Sequence, residues 1–377
     1  MDFSWKQEEE ELYQRALAFA GKQPASSRPE QPFPLERWRS WGEFGFLGLS
    51  IPEAYGGMGL GALMTARLAE AFGRGCEDTG LVFSAMAHLL ACVMPIVEHG
   101  SEAQKQRLLP KLASGEMIGA NAITEADSGS DVYALKSRAV RDGDFYVLNG
   151  VKSYVTNAPV ADLFLVYAQT NPSDGYLGLS AFLVEKGTPG VTVGQPFDTL
   201  GLKTSPIASV YFDDCRVPLS ARLGVEGQGA PIFNGSMQWE RSCLFAAYVG
   251  LSERLLERSV QFARQRRQFN KPIGKNQAVS HRVADMKLRL ESARLLVYRA
   301  CWRLERGEDA SVEIALAKLA ASEGAVQSGL DAIQIHGGMG IIQETGIEAA
   351  LRDSIPSTLF SGTSEMQREL IARKLGL

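Results

Sequence analysis

Hydrophobic and polar positions divide the chain into three stretches of different period. Up to about residue 118 the apolar residues recur at helical spacing. Leu63, Ala66, Leu68, Ala71 and Phe72 share a face, and Gln104 to Leu112 makes a short amphipathic piece. From about 119 to 225 the texture is β-rich, with runs at Phe145 to Leu148, Leu163 to Ala168, Ser180 to Val184 and Ser209 to Phe212. The turn signals Asp142-Gly143-Asp144, Asn149-Gly150 and Thr188-Pro189-Gly190 punctuate them. After Gly229 helical spacing returns. Val279, Val283, Met286, Leu290, Ala293, Val297, Ala300 and Leu304 step by fours and threes, which predicts one continuous stripe suited to bundle packing. Residues 310–335 repeat it less strictly. The expected architecture is mainly α with a β-domain: a helical domain over 1–118, a β-domain over 119–225 and a helical bundle over 226–377. Without long helices between its strands, the middle stretch is not a Rossmann sheet.

The remaining features narrow the function classes. A chain of 377 residues fits two or three domains, and its 45% hydrophobic and 22% charged residues exclude disorder or a coiled-coil rod. A net charge of −4 argues against a nucleic-acid protein that relies on a positive field. Five dispersed cysteines form no CxxC, and His88, His99, His281 and His336 form no HExxH or HxH, so no metal site is expected. The N-terminus, Met1-Asp2-Phe3 leading to Glu8–Glu11, is acidic and lacks a signal-type apolar core. The apolar stretch from Leu81 to Val97 contains Ser84 and His88 and is interrupted by Pro95. It falls short of the about 20 residues that span a bilayer and reads as a buried core helix, which makes a cytoplasmic protein the expectation. The glycines of Tyr55–Gly61 lack the strand and offset helix of a dinucleotide loop and read as an ordinary flexible connector.

Four segments carry candidate chemistry: Asn121–Asp131, Lys152–Asn157, Arg264–Phe269 with Pro272 to Gln277, and Gln334–Gly340 with Phe360–Glu365. Taken singly, Thr124 and Thr156 suit strand positions, the arginines a solvated helix end, and Gly337-Gly338 a helix C-cap. Taken together, they offer hydroxyls, NH-rich Gly/Ser loops, an arginine pair for a phosphate and an aromatic ring. That combination suits a large phosphorylated aromatic cofactor.

In order and spacing these segments resemble the acyl-CoA dehydrogenase family of flavoproteins over essentially the whole chain. The matching residues are Ile123-Thr124-Glu125 through Gly129-Ser130-Asp131, Thr156-Asn157, Arg266 to Phe269, Gln334 to Gly338 and Gly362-Thr363-Ser364. The resemblance implies an N-terminal helical domain, a middle β-barrel or sandwich and a C-terminal four-helix bundle, assembled as dimers or tetramers. It also implies non-covalent FAD. Ile123, Thr124 and Ser130 would line one side of the flavin, with Tyr154 and Thr156 against the ring near N5. Arg266, Gln268, Phe269, Gln277, Gln334 and Gly338 would reach FAD held mainly by a neighbouring subunit. Thr363 and Glu365 would complete its adenine-diphosphate side.

One departure decides the expected mechanism. Many members place a glutamate before Gly-Thr-Ser to remove the α-proton of the acyl thioester, and this chain has Ser361 there. A serine hydroxyl has no useful basicity without an activating partner. A smaller branch carries the glutamate on the first long helix of the bundle, which here is Glu240 between Trp239 and an apolar run. Desolvation there would raise its pKa toward the working range; the alternative is a mid-helix glutamate facing water or paired with Arg241. Ser361, with Arg241, would shape the substrate site, and the backbone NH at 361 would serve the enolate oxygen.

The segments Trp239–Ala247, Asn276–Arg282, Leu351–Ser354 and Phe360–Thr363 resemble the biosynthetic branch whose acyl groups ride on a carrier protein. Prolyl-carrier-protein dehydrogenases belong to that branch, so the substrate implied is a prolyl thioester oxidised toward pyrrole-2-carboxyl. Two other readings stay open at this point: a short or branched acyl-CoA dehydrogenase, and an oxygen-using or non-dehydrogenase flavoprotein. The electron acceptor is either a flavoprotein or oxygen.

Overall fold

The computed structural model describes residues 4–23 and 33–377; Met1, Asp2 and Phe3 of the acidic N-terminus lie outside them. The first part is helical: α1 (Gln7–Gly21), α2 (Leu35–Phe44), α3 (Ala62–Gly75), α4 (Thr79–Ala87), α5 (Met94–His99) and α6 (Glu102–Ser114). A π turn over His88–Val93 joins α4 and α5 into one helix, Thr79–His99, of 21 residues. This corrects the expectation that Pro95 interrupts the apolar stretch. A proline ring normally strikes the carbonyl four residues back and costs a hydrogen bond. The wider π turn before it relieves that crowding, so the helix continues. By length and composition the helix could cross a membrane, yet 94% of its apolar window is buried inside this fold. The Tyr55–Gly61 connector is packed down: a Cβ on Gly57 would stand 2.1 Å from the Ile51 carbonyl oxygen.

The middle part holds β1 (Gly119–Ala122), β2 (Arg138–Asp142), β3 (Phe145–Thr156), β4 (Leu163–Gln169), β5 (Leu179–Glu185), β6 (Val191–Val193), β7 (Ile207–Pro218) and β8 (Arg222–Leu223). They form one sheet in the order β6-β7-β3-β2-β4-β5-β8, with β1 pairing in parallel alongside β4. Every residue of β4 is buried. Its alternate residues serve two cores: Leu163, Leu165 and Tyr167 face the helices, while Phe164, Val166 and Ala168 fill the interior of the sheet.

The last part comprises α7 (Gly229–Trp239), a second π turn over Glu240–Leu244, and α8 (Phe245–Gln265). A short hairpin, β9 (Arg267–Gln268) and β10 (Lys271–Pro272), leads to α9 (Gln277–Glu305), α10 (Ser311–His336), α11 (Ile347–Ser354) and α12 (Ser364–Lys374). The predicted stripe on α9 is the buried seam: Met286, Leu290, Ala293, Val297 and Ala300 are buried, and Val279, Val283 and Leu304 pack against the core. α3 lies between α1, α8 and α9, so it buries most of its surface and not one face alone. Its crossing with α8 brings backbones together: a Cβ on Gly73 would meet the Ala247 carbonyl oxygen at 2.0 Å, and one on Gly250 the Glu70 carbonyl oxygen at 2.1 Å. Glu70, buried at this crossing, accepts from Arg294 Nε at 3.0 Å and from the Tyr298 hydroxyl at 2.6 Å.

Candidate active site

Helix α4, strand β1, the α7–α8 junction and the segment before α12 enclose a cavity of about 190 Å³. Glu240 enters it from the first residue of the π turn, where one extra residue per turn shifts the side chains out of regular register. The carboxylate is buried, 7% exposed, and accepts a hydrogen bond from the Ser361 hydroxyl. Burial pushes its pKa above the ordinary glutamate value, opposed by the Ser361 bond and the Arg241 charge. Glu240 therefore neither faces water nor forms a direct ion pair with Arg241. The half-buried Arg241 instead donates Nε–H to the Ser361 carbonyl oxygen at 2.6 Å. Ser361 is left-handed at φ +57°, and Gly362 follows at φ +86°. That double turn aims the hydroxyl back at Glu240 just before Thr363 caps α12 by accepting from Met366 N–H at 3.3 Å. A side chain at 362 would crowd Arg241 Nη2 and Gln367 Nε2, each 3.0 Å from a Cβ there.

Ile123, Thr124, Ser130, Tyr154 and Thr156 line the same cavity. Tyr154 arrives there through a β-bulge. The β3–β7 register slips between Lys152 and Val155, and Tyr154 adopts φ +56° and is 61% exposed. The hydroxyls of Thr124, Ser130 and Thr156 make no hydrogen bond among the described residues. A wall of free hydroxyls and one aromatic ring fits a flat heteroaromatic group with a hydrogen-bonding edge, as FAD has.

Residues assigned no site role from sequence hold this wall in place. His88, fully buried at the first π turn, accepts the Gly119 N–H on Nδ1 at 2.8 Å and donates from Nε2 to the Leu112 carbonyl at 3.1 Å. Burial pulls its imidazole down to about 4, so it stays neutral. Asn157, left-handed at φ +67°, donates Nδ2–H to the Ser84 carbonyl oxygen at 3.1 Å, tying the sheet to α4. Beneath the 123–130 loop, buried Lys152 donates to the Ile123 carbonyl at 3.1 Å and to Glu125 Oε1 at 2.7 Å. Burial, opposed by that carboxylate, brings its ammonium down to about 8. None of these contacts has a local sequence signal; each is made across elements distant in the chain.

The other candidate residues lie elsewhere. Arg266, Gln268, Phe269, Gln277, Gln334 and Gly338 are all exposed at one end of the bundle, where α8 ends, α9 begins and α10 ends. Phe269 is 91% exposed at φ +50°. Thr363 and Glu365 flank the cavity without lining it, although their neighbours Gly362 and Met366 do.

Comparison with known proteins follows the same three-part division. The chain matches the N-terminal domain of acyl-CoA dehydrogenases over residues 6–116, the middle domain over 120–215 and the C-terminal domain over 227–376. The chain belongs to the acyl-CoA dehydrogenase family. It is 57% identical to an L-prolyl-[peptidyl-carrier protein] dehydrogenase of Pseudomonas fluorescens over 346 residues, covering 92% of this chain and 91% of that one. A protein of the same description from a Serratia species is 48% identical over 381 residues, covering 100% of this chain and 99% of the other. The solved structure of PigA with FAD and proline superposes with a TM-score of 0.97 at 46% identity, over 100% of both chains. Within the acyl-CoA dehydrogenase family, then, the chain is similar to enzymes of prolyl-carrier-protein oxidation.

Proposed function

We propose that this chain is an FAD-dependent dehydrogenase of an aminoacyl thioester on a carrier protein, with prolyl as the acyl group and pyrrole-2-carboxyl as the product. The observation that carries this is the Glu240–Ser361 pair: a desolvated carboxylate faces the cavity, and a hydroxyl donor stands where many family members have their base. The similarity to prolyl-carrier-protein dehydrogenases supports the choice of substrate.

Glu240 takes the α-proton, and its raised pKa brings it nearer to that carbon acid than an exposed glutamate would be. The Ser361 hydroxyl orients the carboxylate, and Arg241 fixes the Ser361 backbone. Ile123, Thr124, Ser130, Tyr154 and Thr156 hold the isoalloxazine side of FAD. FAD, when bound, supplies the acceptor for the β-hydride. Thr363 and Glu365 bind its adenine-diphosphate side. The exposed set Arg266, Gln268, Phe269, Gln277, Gln334 and Gly338 serves the FAD of a neighbouring subunit, which makes an oligomer the working form. Prolyl to pyrrole-2-carboxyl removes four electrons, so two two-electron oxidations are needed, and after each one the enzyme passes two electrons to a flavoprotein or to oxygen.

The test is anaerobic mixing of the flavin-loaded protein with prolyl-loaded carrier protein, prolyl-CoA and short acyl-CoAs while the oxidised flavin band is followed. Bleaching by the carrier-bound prolyl group alone is expected. Bleaching by acyl-CoAs alone would replace this reading with a catabolic one. No bleaching by any thioester would leave a flavoprotein without dehydrogenase activity.

A further inference from the structure

Strands β1 and β4 run in parallel register, with Asn121 opposite Leu165. Because side chains alternate, Gly119, Asn121 and Ile123 share a face with Leu163, Leu165 and Tyr167, and that face looks toward the helices and the cavity. Two polar atoms on it are buried with no hydrogen bond of normal geometry among the described residues: Asn121 Oδ1 and the Tyr167 hydroxyl, which lies near Ser236. Asn121 lines the cavity that contains Glu240. Tyr167 stands behind it, its ring edge-on to Phe233 of the cavity wall at 5.8 Å.

A buried acceptor left without a donor is costly, so native structures rarely keep one unless something else supplies the donor. A hydrocarbon acyl chain supplies none. The other polar groups of the cavity have assignments. Glu240 and Arg241 are engaged with Ser361, and the free hydroxyls belong to the cofactor wall. The Asn157 amide also has an unpaired oxygen, but two bonds to the Ser84 and Gly119 carbonyls lock it beside Thr156 on that wall. The Asn121 amide makes no side-chain bond within the described residues and is free to follow a ligand.

From this geometry we infer that Asn121 is a specificity-determining residue whose amide oxygen accepts the N–H of the substrate's α-nitrogen, selecting aminoacyl over hydrocarbon acyl thioesters. The inference rests on the aminoacyl reading above. In a prolyl thioester the nitrogen is bonded to the α-carbon, so an acceptor for it must share the cavity with the base, as Asn121 does. The contact would also fix which face of the α-carbon turns toward Glu240.

The experiment compares two carrier-bound substrates of nearly equal shape, prolyl and cyclopentanecarbonyl, by anaerobic flavin reduction with the native holoenzyme and with Asn121→Leu. The native enzyme is expected to favour prolyl by roughly 10- to 100-fold, the penalty for leaving one buried acceptor without its donor. Asn121→Leu should keep its flavin and lose that preference through a slower prolyl rate. A purely structural role would slow both substrates together and leave the ratio unchanged, which would overturn the assignment. Loss of flavin from the variant would also overturn it, giving Asn121 to the cofactor. Equal native rates on the two substrates would overturn it without recourse to any variant. Failure of the native enzyme on prolyl alone would refute the parent reading, whereas prolyl turnover with an unaltered ratio refutes only this inference.

Discussion

Removing the Ser361 hydroxyl should shift the pH at which the enzyme becomes active. In the native protein that hydroxyl donates to Glu240, whose carboxyl is pushed up by burial and drawn down by this bond and by the Arg241 charge. A hydrogen bond to a charged group is worth about 1.5–3 kcal/mol. Its loss raises the Glu240 pKa further while the Arg241 charge remains. Proton abstraction needs the ionised carboxylate, so the rate rises with pH through that pKa and then levels off. Ser361→Ala should therefore reduce flavin about 10- to 100-fold more slowly than the native enzyme below both inflections and approach it above them. The readout is the pH profile of anaerobic flavin reduction with one substrate throughout, so the substrate's own titration cancels in the comparison. Ser361 sits at φ +57°, where alanine keeps the Cβ strain that serine already bears and glycine relieves it. Ser361→Gly thus serves as a second variant with the same expected shift. An inflection that stays in place or falls in both variants would refute the coupling of Ser361 to the base.

Three further outcomes follow from the same structure. Glu240→Gln should retain flavin and lose roughly 10²-fold or more of the reduction rate, and near-native turnover would remove Glu240 as the base. His88 has a folded pKa of about 4 against 6.5 unfolded, so the unfolded chain binds its proton first as pH falls. Its contribution, about 3 kcal/mol, is complete above pH 6.5 and is lost progressively toward pH 4; urea melts across that window should show a steeper decline for native protein than for His88→Gln. Gly73→Ala should cost about 1–3 kcal/mol, because its methyl meets the Ala247 carbonyl and two helix backbones must separate. An unchanged Tm would show that the crossing yields freely.

The long-period features were legible and the short or irregular ones were not. The α9 seam follows its four-and-three spacing closely, and the apolar run of β4 is a strand because it is buried on both faces. Strand β1, Gly-Ala-Asn-Ala, carries neither β-branched residues nor alternation, and β2 is largely charged, so nothing local marks either as sheet. Both owe their conformation to partners supplied by β4 and β3. The π turns are equally silent, since no residue type demands an extra residue per turn. They matter nonetheless: the two lie against each other, one carrying His88 to the root of β1 and the other carrying Glu240 into the cavity.

The relation of Ser361 to Glu240 also accounts for the departure at the loop. The two positions come within one hydrogen bond of each other, in a cavity where burial already disfavours a charge. Two carboxylates there would be like charges in a poorly solvated site, and one would take up a proton and cease to act as a base. With Glu240 as the proposed base, a neutral donor on the loop leaves its carboxylate able to ionise. Serine is such a donor and keeps the left-handed turn that leads into Gly362 and the α12 cap. On the proposed reading the loop backbone at Ser361, held by Arg241, faces a base supplied from the helix.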